Sequence, residues 1–494
     1  MSQNPLGGTP LLLITAPGGH EPERRYVLDL VVGEWLGFRY ELETGTEACT
    51  SIRLAGDDSR AHLTLPDILL STPDGPWLAE KCLPERPLAR VGLPRSAKDR
   101  GDPAESVPVL FGDPAPDGLP WQAIPDGLAV RVDVLGGIFF LVSRLEELVR
   151  PERDEHGRFP VWASVAHGEG FLERPLADEY ADLLFSAMRV VWPPIPRRMT
   201  PFRLRLTHDV DRPFAALGQP AWRIARSVAA DVVLRREPRL AFRRARAVAD
   251  ARGGRVDRDP FMTFGFLMGE SERHGLRSAF YVMAGNAPGD RDFRYRLSDS
   301  PLAPILREIH ERGHEVGLHA SYVSHGSPER LAMEAAALRD VCRTSGFEQP
   351  EWGVRQHYLR FGNPDTWRNQ EAAGLAHDST LGFAEHVGFR SGTCREYSVF
   401  DLVARHPLRL RERPLVAMDG SLTSYMHLEA GDASRRVRSL ARTCRRHGGD
   451  AVLLYHNDAV AGARERHRYS ELLEDLVRDG ALESQQMVDP GGRR

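Results

Sequence analysis

Residues 204–213 read LRLTHDVDRP and set three groups able to bind a metal or move a proton, His208, Asp209 and Asp211, directly after a run with strand character. Phe202, Leu204 and Leu206 alternate with Arg203, Arg205 and Thr207, a period of two that predicts an extended strand. On such a backbone Asp209 and Asp211 project to the same side, so two carboxylates can converge on one cation or one water. Taken alone, the stretch also fits a turn in which aspartates accept from backbone amides ahead of Pro213. The rest of the chain decides between these readings.

Further polar residues recur where strands are predicted to end: His319 after HEVGLH, Arg355 and His357 within WGVRQH, His377 with Asp378, Asp419, then His456 and Asp458 after AVLLYH. Strands are expected at 278–283, 314–319, 352–357, 376–380, 411–418 and 451–456. Helices are expected at 301–312, 328–344, 364–373, 434–446 and 463–478. Such alternation predicts a parallel α/β sheet, open or closed into a barrel, whose strand ends gather at one face. Asp211 with His319 supplies an oxygen and a nitrogen ligand, which suits zinc or another divalent transition metal better than calcium. Asp209 is then available as a general base, Arg355 can keep a carboxylate ionised, and His456 can protonate a leaving group. That set fits metal-assisted hydrolysis of an amide or ester.

Composition narrows the class. The 494 residues, 41% hydrophobic and 27% charged, fit a globular protein of two or three domains. A formal net charge of -4 makes neither nucleic acid nor an anionic membrane the default partner. The five cysteines are scattered without a CxxC pair, which argues against a disulfide framework or a cysteine zinc site. No signal peptide is indicated and no apolar run reaches spanning length, so a cytoplasmic protein without a transmembrane segment is expected.

Residues 1–195 read as a smaller α/β unit. It should hold a strand at 10–16, a helix at 25–36, alternating runs at 37–43 and 51–54, and loops over 71–125. A strand-like stretch at 130–143 then leads into a helical 144–150. The pairs Gly18 with Gly19 and Gly136 with Gly137 read as turns rather than phosphate cradles. The proline-rich 190–201 suggests a boundary, and the arginine-rich 222–255 a solvated helix face, with an anionic surface as the other possibility.

Residues 200–480 resemble the polysaccharide deacetylases, the NodB-homology or family 4 carbohydrate esterases. THDVD (207–211), GHEVGLHASYVSH (313–325), VRQHY (354–358), HDSTLG (377–382) and LLYHND (453–458) are similar to its motifs, in the same order. The resemblance implies a distorted (β/α) barrel over 200–485, with Asp209 as base, Asp211 and His319 as metal ligands, Arg355 orienting the base and His456 as acid. Asp378 joins the catalytic set, and Trp352, Tyr358 and Asp419 are assigned to substrate binding. Where the second motif carries another histidine this chain has Val323, so His325 or His357 is expected as the third ligand. PVLFGDP (108–114) and FFLVSRLEELVRPERDEHGRF (139–159) resemble an accessory domain found ahead of a subgroup of these enzymes. The expected activity is removal of an acyl group, N-acetyl foremost, from a sugar or polysaccharide precursor, with a carbohydrate or glycoconjugate as substrate. The expected cofactor is a divalent metal, zinc first, then cobalt, manganese or iron. The rivals are an inactive carbohydrate-binding or scaffold protein and a glycosyltransferase using Asp209 and Asp211 as a DxD pair.

Overall fold

The structure is a computed structural model and describes residues 9–92, 106–115, 117–216, 221–252, 255–285, 297 and 301–488. Its first sheet is mixed. In chain order the strands are β1 (Leu11–Pro17), β2 (Arg39–Gly45), β3 (Cys49–Leu54), β4 (His62–Pro66), a separate pair β5 (Arg90–Gly92) and β6 (Ser106–Pro108), then β7 (Trp121–Ile124) and β8 (Gly127–Val130). They lie side by side as β2-β1-β3-β4-β8-β7, with helix Leu176–Val191 packed on β4 and β8.

One sequence expectation fails here. Residues 134–142, expected as strand, form the helix Val134–Val142, and all nine are buried. A helix buried on every side has no amphipathic stripe, so its apolar run carries no helical period to detect. Asp133 caps it, accepting from Gly136 N at 2.8 Å. Gly136 and Gly137 therefore sit in a helix, neither in a turn nor around a phosphate. A Cβ on Gly137 would meet the Tyr180 ring at 2.5 Å, so close packing explains the glycine.

The second sheet has nine strands: β9 (Arg203–Val210), β10 (Ser278–Val282), β11 (Glu315–Ala320), β12 (Gly353–Gln356), β13 (His377–Asp378), β14 (Tyr397–Asp401), β15 (His406–Glu412), β16 (Leu415–Met418) and β17 (Asp450–Leu454). Their order is β14-β15-β13-β12-β11-β10-β9-β17-β16, with all but β14 parallel. Helices Leu302–Glu311, Pro328–Thr344, Asp365–Ala372 and Ala430–His447 make the crossovers. Strands covered on both faces read as unbroken apolar runs, as in β10 and β17, where every residue is buried.

The single strand expected over 411–418 is two. Pro414, with no N–H to give a ladder, separates β15 from β16, which pair at opposite sides of the sheet. The sheet curls until Leu415 N donates to Leu381 O at 3.0 Å and Gly388 N to Val416 O at 2.9 Å. No β15–β16 ladder forms among the described residues, so the sheet is a curled half-barrel. No helix among them is long and apolar enough to cross a membrane.

A single apolar core runs through both units. Tyr26 and Phe139 from the first pack on Phe400 of the second, with ring centroids 4.9 and 5.4 Å away. Beside this contact Glu147 accepts from Arg390 at 2.8 and 2.7 Å and from Arg144 at 3.0 Å, all three side chains almost fully buried. Burial pushes the Glu147 carboxyl up, but Arg390 and Arg144 outweigh it and hold the pKa at about 2. Glu147→Gln leaves buried arginines without a counter-charge, and a loss of roughly 3–5 kcal/mol is expected at neutral pH. Because the folded pKa is depressed, that stabilisation exists above the ordinary glutamate range and disappears as pH falls through about 2. Urea unfolding of wild type and variant should therefore give a gap that narrows between pH 5 and pH 2; equal stabilities at pH 7 would contradict the assignment.

Candidate metal centre

The C-terminal ends of β9, β11 and β12 bring the chemistry together. Asp209 lies in β9 and Asp211 one residue beyond its end; both face the lumen of the curl, as alternation requires. His208 points the other way. Its Nδ1 meets Tyr455 O at 2.9 Å, its ring lies 4.8 Å from Phe280, and burial pulls its pKa down to about 4. It is a neutral core histidine.

His319 ends β11. Its Nδ1 donates to Arg355 O at 3.0 Å, which fixes the tautomer and turns the Nε2 lone pair toward Asp211. His319 Nε2 stands 3.0 Å from Asp211 Oδ1, an oxygen that is buried and has no hydrogen-bond partner. Two acceptors so close need a proton or a cation between them. His357 Nε2 closes the group at 3.7 Å from Asp211 Oδ2, and one donor atom from each of Asp211, His319 and His357 lies within 4.8 Å of the others. A shared cation accounts for all three at once, and one carboxylate with two imidazoles is a donor set that fits zinc. Burial pushes the Asp211 carboxyl up, but His357, His319 and His456 outweigh it and hold it well below the usual carboxylate range.

Two supported groups flank the triad. Asp209 Oδ1 accepts from Arg355 Nη1 at 2.9 Å, and its Oδ2 faces His319 Nε2 at 3.8 Å. Arg355 is itself fully held: Nη1 also donates to Thr207 Oγ1 at 2.9 Å, Nε to Ser379 O and Nη2 to Ser379 Oγ, both at 2.8 Å. On the other side His456 Nε2 lies 3.8 Å from Asp211 Oδ2, while its Nδ1 donates to Asp419 Oδ1 at 2.7 Å. Burial pulls His456 down, but Asp419 and then Asp211 and Asp209 outweigh it, so the imidazole is held well above its ordinary pKa.

The remaining expected residues lie elsewhere or act differently. His325 is outside the triad: it sits in the short turn Ser324–Gly326, its carbonyl accepts from Thr366 and Asn369, and burial pulls its pKa down to about 4. Val323, at the position of the missing histidine, is exposed. Trp352 precedes β12 and is buried at the opposite end of the strands, so it cannot reach a ligand at this face. Asp378 is fully buried beside Glu412, its register partner across β13 and β15, and accepts from Thr380 N at 3.1 Å. Burial raises both carboxyls, and the bonds from Thr380 N to Asp378 and from Leu381 N to Glu412 brace the turn that carries Ser379. Asp419 supports His456 rather than a substrate. Tyr358 lies half-buried at the rim.

Tyr358 and Leu359 follow His357 with φ of 63° and 55°, two successive side chains in the left-handed region, at roughly 1–2 kcal/mol each. Sequence reasoning missed what holds them, and it also missed Thr207 and Ser379. The last two lie inside the motifs already quoted. A hydroxyl two residues before Asp209 and another just after Asp378 were the available signals.

A separate cavity of about 450 Å³ opens among the N-terminal ends of the strands, lined by Arg203, Arg205 and Arg413 among others. Those cations are already paired with Asp450 and Glu396, and the lining reaches Thr207 and Ser379, the partners of Arg355, but includes none of Asp211, His319 and His357.

The profile of a family of unknown function, DUF7033, matches residues 12–193. No curated protein matches. Among solved structures the chain is similar to a protein of Mycobacterium smegmatis assigned to the polysaccharide deacetylases, at 16% identity and a TM-score of 0.36 over 57% of this chain and 85% of that one. A Pseudomonas aeruginosa PAO1 protein with the same assignment gives 13% and 0.34, over 56% and 89%. A peptidoglycan deacetylase from Bacillus subtilis gives 10% and 0.23, over 57% and 86%. These overlaps are too weak to carry an activity across, so function rests on the site itself.

The geometry predicts about one zinc or cobalt per chain, retained in His325→Ala and lost or weakened by roughly 100-fold in His357→Ala. Metal content by mass spectrometry after desalting checks it; a loss in His325→Ala with His357→Ala unaffected would reverse the assignment.

Proposed function

We propose that the chain is a metal-dependent hydrolase that removes an acyl group, N-acetyl foremost, from a sugar-containing substrate. The observation that carries this reading is the convergence of Asp211, His319 and His357 between an arginine-backed carboxylate, Asp209, and an aspartate-backed imidazole, His456. A divalent cation held by the three would supply a Lewis acid that polarises the acyl carbonyl and acidifies water, with zinc, then cobalt, manganese or iron, suiting the donor set.

The chain's own groups divide the proton work. Asp209 takes a proton from water as its oxygen adds to the acyl carbon, and Arg355 holds that carboxylate by Oδ1 with Oδ2 turned to the centre. His456 donates from Nε2 to the departing nitrogen as the C–N bond breaks, giving a carboxylic acid and an amine. Asp419 on Nδ1 keeps the ring oriented and protonated for this task. The substrate class rests on the ordered motifs that resemble the deacetylases. A DxD glycosyltransferase would have no use for the Asp419–His456 pair, and neither would a sugar-binding relic.

Acetate release from N-acetylglucosamine oligomers by the zinc- or cobalt-loaded protein tests the reading. Asp209→Asn and His456→Ala should each lower kcat by about 10²–10⁴. A protein that holds its metal yet releases no acid from any N- or O-acylated sugar would contradict it.

A further inference from the structure

The third donor of the triad depends on a segment of the other unit. His357 is followed by the left-handed Tyr358 and Leu359, a turn that ordinary side chains avoid and that tertiary contacts must therefore hold. The contact comes from residues 154–158 of the N-terminal unit. Arg158 Nη1 donates to Tyr358 O at 3.1 Å, across 200 residues of sequence, with the arginine itself buried.

Arg158 is aimed by its own turn. Asp154 accepts from His156 N and Arg158 N at 2.8 Å each and from Arg158 Nε at 2.7 Å, while Gly157 N donates to Asp154 O at 2.9 Å. The turn is wedged between the loops after β11 and β12. His156 Nδ1 meets Tyr322 Oη at 3.3 Å, its ring lies 4.7 Å from Tyr358, and Arg360 Nε donates to His156 O at 2.6 Å. Arg360 also stacks on Tyr322 at 4.0 Å and donates to Tyr322 O, tying down the β11 loop. That loop carries the exposed Val323 and supplies no ligand, so the donor set is completed from the β12 loop, where the wedge presses.

Resting on the metal-centre reading above, we infer that the N-terminal unit is a positioning element for the metal: Arg158 holds the Tyr358 carbonyl in the left-handed turn that presents His357. Arg158 touches neither the donors nor the reacting atoms and acts through the backbone of the next residue. The role this assigns to residues 154–158 is support of an active centre on another sheet, distinct from substrate binding of their own.

Titration of the full-length apoprotein with cobalt(II), followed by visible absorption, tests this. Arg158→Ala should weaken cobalt binding at least tenfold and alter the ligand-field bands, with far-UV circular dichroism unchanged. Tyr358→Gly added to Arg158→Ala should recover most of that loss, because glycine adopts φ near 60° without a Cβ penalty; a merely structural role for Arg158 would not be repaired at position 358. If Arg158→Ala does not fold, Arg158→Lys, which keeps the charge but loses the fork on Asp154, is titrated to the same tenfold criterion. Wild-type affinity in the Arg158 variant alongside lost binding in His357→Ala would overturn the inference and leave the metal centre standing. Wild-type affinity in His357→Ala would overturn the metal centre itself.

Discussion

A guanidinium with no access to water must be neutralised where it lies, and Arg355 is that group here. It spends its donors on Asp209, Thr207 and Ser379, tying the ends of β9, β12 and the turn after β13 into one polar knot inside a largely apolar curl. Its ring neighbour Tyr281, 4.7 Å below, adds a cation–π contact from β10. Asp209 is thereby held in place, while the backbone carbonyl of the same arginine receives His319 Nδ1 and turns Nε2 inward. One residue thus orders both the carboxylate and an imidazole of the centre.

The same economy recurs around it. Asp419 orients His456, the buried pair Asp378 and Glu412 braces the turn bearing Ser379, and Arg158 reaches from the N-terminal unit to the residue after His357. Each support is buried, so each is electrostatically stronger than it would be in water and costly to break. A rigid arrangement follows, with the groups that would do chemistry spaced around Asp211 before any ligand arrives.

Much of this placement was legible in the sequence, for a physical reason. Alternation along β9 sets Asp209 and Asp211 on one side and His208 on the other, and parallel strands send their C-terminal residues to one face. Trp352 falls away from the site because it precedes β12 at the end opposite His357. The helix Val134–Val142 was hidden because full burial erases periodicity, and the break at Pro414 divides the charged end of β15 from the apolar β16, which a single strand over 411–418 merges. The choice between His325 and His357 could not be read locally at all. It turns on a left-handed backbone at Tyr358 held by Arg158, a contact between residues 200 apart that no local pattern encodes.

The most direct measurement of the central claim is anomalous X-ray diffraction at the zinc edge from crystals of the zinc-loaded protein. One strong peak is expected within bonding distance of Asp211, His319 and His357, with Asp209 and His456 on either side and not bonded. A peak bonded to His325, or one away from Asp211, would contradict it.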